Sequence, residues 1–216
     1  MLSATMLFLV ACESMDEKDG GKFSLGSTCR ILESRGNFTS FIKALDRSGY
    51  RRLVDGGGLV TVFAPDDAAF GSYLQEKYGT TDVDQVPVEE LALLVGCHMI
   101  QFAYTPEDFL SFSMVSSDDG TDTGDGACYK YKTYGRPAIE EYTDPLNRRK
   151  VKIFSREKYM PVFSTRMFAK RGISDAEGDY RLLFPDVNWQ GANDRLYAGN
   201  AAVTESGIPT DRKSVV

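Results

Sequence analysis

A chain of 216 residues has room for one large domain or two small ones. Its hydrophobic content of 42% supports a packed core and excludes a disordered chain. A formal net charge of -6, with no global basic footprint, sets nucleic-acid binding aside.

The apolar run from Met1 to Cys12 is too short to span a bilayer as a helix and fits the hydrophobic part of a secretory signal. No Lys or Arg precedes it, so the true start is expected to lie upstream. Leu9-Val10-Ala11-Cys12 resembles the bacterial lipobox, in which a small residue precedes the lipidated cysteine. The alternative is a buried N-terminal strand carrying an ordinary cysteine. The abrupt polarity change after Cys12 favours the lipobox. Glu13, Ser14, Asp16, Glu17, Lys18 and Asp19, then Gly20-Gly21, read as a flexible acidic tether over 13–24. Acidic residues in that place resemble the surface-export tethers of Bacteroidota lipoproteins. The resemblance implies an outer-membrane lipid anchor facing the cell surface, with a periplasm-facing anchor as second choice. Acyl chains would hold it at roughly 0.8 kcal/mol per buried methylene. Of the remaining cysteines, Cys29, Cys97 and Cys128, at least one must stay unpaired within the chain. A Cys29–Cys128 disulfide stays open. With no Cys-x-x-Cys spacing and one histidine, neither a metal nor another cofactor is expected.

Asn37 reads as the N-cap of an amphipathic helix with Phe38, Phe41, Ile42 and Leu45 on one face and Gly49 at its stop. A glycine turn, Gly56-Gly57-Gly58, follows. Thr61, Val62 and Phe63 then favour an extended backbone, which Pro65 ends because it has no N–H to give a ladder. Asp66 or Asp67 suits the free N–H groups and positive end of a following helix. Ala68, Ala69, Phe70, Tyr73 and Leu74 supply its stripe. Pro87 opens another helix, with Val88, Leu91, Leu94, Val95 and His98 on one face, and the strand Met99-Ile100-Gln101-Phe102 comes next.

The polar glycine-rich loop of residues 116–126 lacks the register of a calcium-binding loop and reads as solvated. Residues 128–158 are locally basic, with tyrosines interleaved. They suit either a binding face for an anionic glycan or exposed strands, and the period-two alternation Lys130-Tyr131-Lys132 favours strands. Val151-Lys152-Ile153-Phe154 is expected to pair as a hairpin across Asp144-Pro145-Leu146-Asn147. Phe163 to Phe168 suggests a short element. Trp189, the single tryptophan, sits in a loop-like context where a core plug is favoured over sugar stacking.

Two blocks carry a family resemblance. Thr61-Val62-Phe63-Ala64-Pro65-Asp66-Asp67-Ala68-Ala69-Phe70 resembles the signature of the fasciclin domain, where Thr-Val-Phe-Ala-Pro precedes a polar pair and Ala-Phe. Leu94-Val95-Gly96-Cys97-His98 resembles the family's Leu-x-x-Tyr-His helix end, with Cys97 in place of the tyrosine. That exchange leaves a gap unless a neighbour fills it, and an adhesive role of that tyrosine does not carry over. Residues 200–211 resemble the approach to the second fasciclin signature, after which Arg212-Lys213-Ser214-Val215-Val216 departs from it.

The resemblance implies an α+β fold, a fasciclin-like β-sandwich or wedge with several helices packed over the sheets. The expected layout is a lipoprotein signal over 1–12, the tether over 13–24, one incomplete domain with an inserted middle over 25–211, and a non-family tail over 212–216. The final strands are expected to be missing, as in a truncated or frameshifted fragment. Thr61, Val62, Phe63, Ala64, Pro65, Asp66, Asp67, Ala69, Phe70, Leu94 and His98 are then structural motif residues, and Cys12 is the lipidation site. The function implied is a non-catalytic adhesion or scaffold module of the cell envelope, binding proteins or matrix polymers. The alternative is a surface glycan-binding lipoprotein for nutrient capture, with Trp189 or Tyr131 touching the sugar. No catalytic residue is expected, since no nucleophile elbow, phosphate loop or metal-ligand cluster occurs.

Overall fold

The computed structural model describes residues 26–56, 58–110, 113–115, 122–125, 128–135, 138–155, 157–166, 168, 172–191, 195–210 and 213–215. Cys12, the tether and most of the acidic loop lie outside these residues.

The N-terminal half is mainly helical. Helix α1 (Thr28–Arg35) starts where the Ser27 hydroxyl accepts from the Arg30 N–H. Helix α2 (Thr39–Ser48) buries Phe41, Ile42, Ala44 and Leu45 on one face and stops at Gly49, which takes the left-handed φ of 78° that a side chain resists. Helix α3 (Arg51–Asp55) leads into β1 (Val60–Val62), whose three side chains are all buried. Helices α4 (Asp67–Tyr78) and α5 (Val88–Cys97) follow, then β2 (Met99–Gln101) and α6 (Pro106–Leu110). Along α4 only Phe70 and Leu74 of the expected stripe are buried. Ala68, Ala69 and Tyr73 face outward, because a two-residue apolar rib suffices where the helix touches the core at its edge. On α5, Leu91 and Val95 are buried and Leu94 packs beside them, whereas Val88 is exposed in the first turn.

The second half is mainly β. Strands β3 (Ser113–Val115) and β4 (Asp122–Asp125) form one two-stranded ribbon, and β6 (Ala138–Thr143) and β7 (Lys150–Ser155) form another. The latter is the expected hairpin. Strands β5 (Cys128–Lys132), β8 (Tyr159–Ser164), β9 (Leu196–Ala198) and β10 (Ala201–Ala202) make a four-stranded sheet in the order β10-β9-β8-β5. Helix α7 (Ala176–Leu183) packs against it through Tyr180, which touches Phe163 and Tyr197.

The other four-stranded sheet has the order β11-β12-β1-β2, with β11 at Ile208–Thr210 and β12 at Lys213–Val215. Strand β12 runs parallel to β1, pairing Thr61 with Ser214 and Val62 with Val215, and antiparallel to β11. This corrects two expectations. Residues 213–215 belong to the sheet rather than to a tail outside the domain, and the β1 edge away from β2 is occupied. Ladder pairing uses main-chain groups, so residues that depart from the family's wording still fill the position.

Three apolar layers hold these parts together. The first, under the helices, joins Leu32, Phe41, Leu45, Phe70, Leu74 and Leu91 to Val60 and Val62. The second lies between the two sheets and takes Phe63 and Ile100 from one, Tyr131, Val162 and Leu196 from the other, and Phe109 from α6. The third joins Phe163 and Tyr197 to Phe168, Tyr180 and Val187. Sheets sharing an apolar layer with helices outside them make the α+β, wedge-like architecture.

Candidate functional site

The corner after β1 is where the sequence concentrates its information. The two acidic residues there do different work. Asp66 caps its own helix, its carboxylate accepting from the Ala69 N–H at 2.7 Å. Asp67 reaches across to α2 and accepts from the Ser40 N–H at 2.7 Å, the Thr39 N–H at 3.1 Å and the Thr39 hydroxyl at 2.8 Å. In return the Asp67 N–H donates to the Asn37 carbonyl at 2.8 Å. Asn37 is therefore not the side-chain cap of α2. Phe38 holds the cap position with no side-chain bond, and a residue from another helix supplies the acceptor. Partial burial raises the Asp67 carboxyl pKa, but the Ser40 and Thr39 donors outweigh it and leave the group below its ordinary value.

Thr61 is fully buried and holds the far side of β1. Its hydroxyl donates to the Phe102 carbonyl at 2.9 Å and accepts from the Tyr104 N–H at 2.8 Å. This pins the turn where β2 ends, one residue earlier than the expected Phe102. Phe102 stands there with a positive φ of 72°, a strained value for an aromatic residue, and its ring is exposed.

His98 ends α5 beside the same corner. Its carbonyl accepts from the Phe63 N–H at 2.8 Å, and its ring Nδ1 lies 3.0 Å from the Phe63 carbonyl. The ring also sits edge-on to Phe41, with centroids 5.8 Å apart. Burial drives the imidazole pKa down, and the Phe63 carbonyl offsets only part of that, so the ring is held neutral. Its hydrogen-bond partner is a main-chain carbonyl rather than a hydroxyl, thiol or carboxylate. The expected gap at Cys97 is closed by the chain at 133–135. A Cβ built on Gly135 would stand 2.8 Å from the Cys97 sulfur, and one on Gly96 would stand 2.7 Å from the Tyr134 carbonyl oxygen. The Tyr134 N–H donates to the Gly96 carbonyl at 3.1 Å, and the Tyr50 hydroxyl donates to the Tyr134 carbonyl at 2.8 Å.

These groups border a cleft of ≈ 340 Å³. Phe63, Ala64, Pro65, Asp66, Ala69 and His98 line one side. Phe38, Met160, Val203 and Ile208 add apolar surface from elsewhere in the chain. Across the rim the Arg35 guanidinium grips the Glu205 carboxylate with two hydrogen bonds, at 2.7 and 3.0 Å. Each partner shifts the other: the bond to Arg35 lowers the Glu205 pKa, and the bond to Glu205 raises that of Arg35. The size and apolar lining are those of a recognition cleft. Thr61, Val62, Phe70 and Leu94 of the motif pack in the body of the domain instead. No sequence signal flagged Arg35 or Glu205.

The two sugar-stacking candidates lie elsewhere. Tyr131 is only 5% exposed, closed in by Tyr104 and Phe109, so it offers no ring face to a sugar. The alternation around it is that of a strand, with Lys130 and Lys132 exposed. Trp189 is half-buried, stacked on Tyr197 with centroids 5.0 Å apart and planes 7° apart, as a core plug. Among the described residues no cluster of three or more His, Cys, Asp or Glu could hold a metal ion. No helix among them is long and apolar enough to cross a membrane. Cys29 is a free, buried thiol in the structure, and the Cys128 side chain lies outside the described residues.

Comparison with known families matches residues 36–132 to the fasciclin domain. No curated protein matches the chain.

Proposed function

We propose, on the premise that residues 36–132 are a fasciclin domain, that this chain is a non-catalytic cell-envelope lipoprotein whose cleft binds proteins or matrix polymers. A fasciclin domain is an adhesion or binding module. The observation that carries the reading is the position of the cleft: the signature corner forms its wall, and the one imidazole there is neutral and bonded to a backbone carbonyl. A shaped apolar surface with a polar rim suits recognition. Attachment through a lipid on Cys12, at the outer-membrane surface, completes the reading. The apolar run and the acidic tether support it.

The cleft is tested by filling it. Val203→Trp and Ala202→Arg are expected to weaken binding of the full chain to purified envelope polysaccharide or matrix protein at least tenfold, read by biolayer interferometry, with circular dichroism unchanged. Unaltered binding by both folded variants would move the site elsewhere. Mass spectrometry of the mature N-terminus checks the anchor, and an unmodified Cys12 would end that part of the reading. Glycan capture remains the second reading. It requires saturable binding on a glycan array that disappears in Trp189→Ala.

A further inference from the structure

The hairpin of β6 and β7 is a two-stranded ribbon with no third strand among the described residues. Such a ribbon is marginally stable in water without something to cover an apolar face. Its register sets Tyr142 opposite Val151, Glu141 opposite Lys152 and Thr143 opposite Lys150. Strand alternation therefore places Tyr142, Val151 and Ile153 on one face, with Glu140 at the register position opposite Ile153, and Glu141, Lys150, Lys152 and Phe154 on the other. Tyr142, Val151 and Ile153 are 51%, 45% and 46% exposed, and Phe154 is 60% exposed. Glu141 lies 3.7 Å from each of the two lysines on its face.

The tip is built rather than loose. The Asp144 N–H donates to the Arg149 carbonyl at 2.9 Å, the Arg148 N–H to the Asp144 carbonyl at 2.8 Å, and the Leu146 N–H to the Asp144 carboxylate at 2.9 Å. This turn holds Leu146 outward at 94% exposure, with Arg148 and Arg149 beside it. Neither arginine has an ion-pair partner among the described residues. Of the carboxylates whose side chains are described in the hairpin, Asp144 is taken by the turn and Glu141 by the lysines.

We propose that this hairpin docks on an anionic phospholipid surface. Leu146 enters the headgroup–acyl boundary from the hairpin tip, while Arg148 and Arg149 meet lipid phosphates. Charge complementarity selects this occupant. An apolar side chain at the projecting end, flanked by unpaired cations, matches the order of layers at a bilayer surface, where apolar groups go deep and cations stay with the phosphates. A second copy of this acidic chain offers no such layering. The inference depends on neither the cleft nor the lipid on Cys12.

The test uses the full chain carrying Cys12→Ser, so that no acyl chain contributes. Co-sedimentation with phosphatidylglycerol–phosphatidylcholine vesicles is expected to fall tenfold or more in Arg148→Glu/Arg149→Glu and in Leu146→Asp, at unchanged melting temperature. In Leu146→Trp the added fluorescence is expected to shift blue on vesicles and to be quenched by brominated lipid. Equal binding by parent and charge-reversed chain, equal binding to pure phosphatidylcholine, or an unquenched Trp would each overturn the proposal. So would vesicle-free self-association, seen by analytical ultracentrifugation and lost in Leu146→Asp, which would assign the face to a second copy.

Discussion

At the scale of single residues, neighbouring groups of the same type do unlike things. Asp66 and Asp67 are adjacent carboxylates, yet one caps α4 and the other caps α2. Replacing Asp67 by Ala leaves the first N–H groups of α2 without their acceptor. The expected cost is about 1–2 kcal/mol, read as a lower denaturation midpoint. The folded-state pKa of Asp67 is depressed, so its contribution is present above the ordinary carboxyl value of 3.8 and is lost as pH falls below it. Asp67→Asn is expected to flatten the acid limb of the stability curve in that range. His98 acts in the same direction at higher pH. Its folded pKa lies below the ordinary 6.5, so protons bind the unfolded chain first, and stability declines as pH drops from 6.5 towards the folded value. In His98→Phe that decline is expected to shrink, measured by urea denaturation at stepped pH. Cys29 is held as a thiol by burial and by the Asp55 carboxylate, which push its pKa up to about 12. It is expected to resist alkylation at pH 8 in the native protein and to react once the chain is denatured, as counted by mass spectrometry.

At the scale of elements, the helix ends decide the packing. Helix α5 ends in Gly96-Cys97-His98, and the chain at 134–135 lies directly on it. Gly96→Ala would press a methyl group against main chain that is itself held by Tyr50, so relief must come from backbone movement. Overpacking of this kind costs about 1–3 kcal/mol, and a thermal melt of the variant is expected to show it. Strand and helix existence were legible because each is written in a window of about ten residues: β-branched runs for strands, i, i+3, i+4 spacing for helices. The depth of α4 in the core was not legible. Its stripe of Ala68, Ala69, Phe70, Tyr73 and Leu74 reads as continuous, but how much of it is covered depends on neighbours that the window does not contain.

At the scale of the whole molecule, strand β12 links the end of the chain to its centre. It flanks β1, whose Val60 and Val62 are fully buried. Deleting residues 213–216 would leave that edge of β1 unpaired, and the shortened chain is expected to melt several degrees lower and to aggregate on heating. An unchanged melt would show that β12 contributes little to the sheet. By itself the sequence determined the corner at Pro65, the helix faces, the hairpin at Asp144–Asn147 and, through the wording of that corner, the resemblance to the fasciclin domain that the match over residues 36–132 repeats. Each is a consequence of local propensity, of a missing N–H or of short-range spacing. The tertiary structure alone decided that Asp67 serves α2, that Tyr131 is enclosed, that β12 takes its place beside β1, and that Arg35 closes the cleft with Glu205, a residue 170 positions away. Burial and hydrogen-bond partnership are relations between distant segments, and they exist only once the chain has brought those segments together.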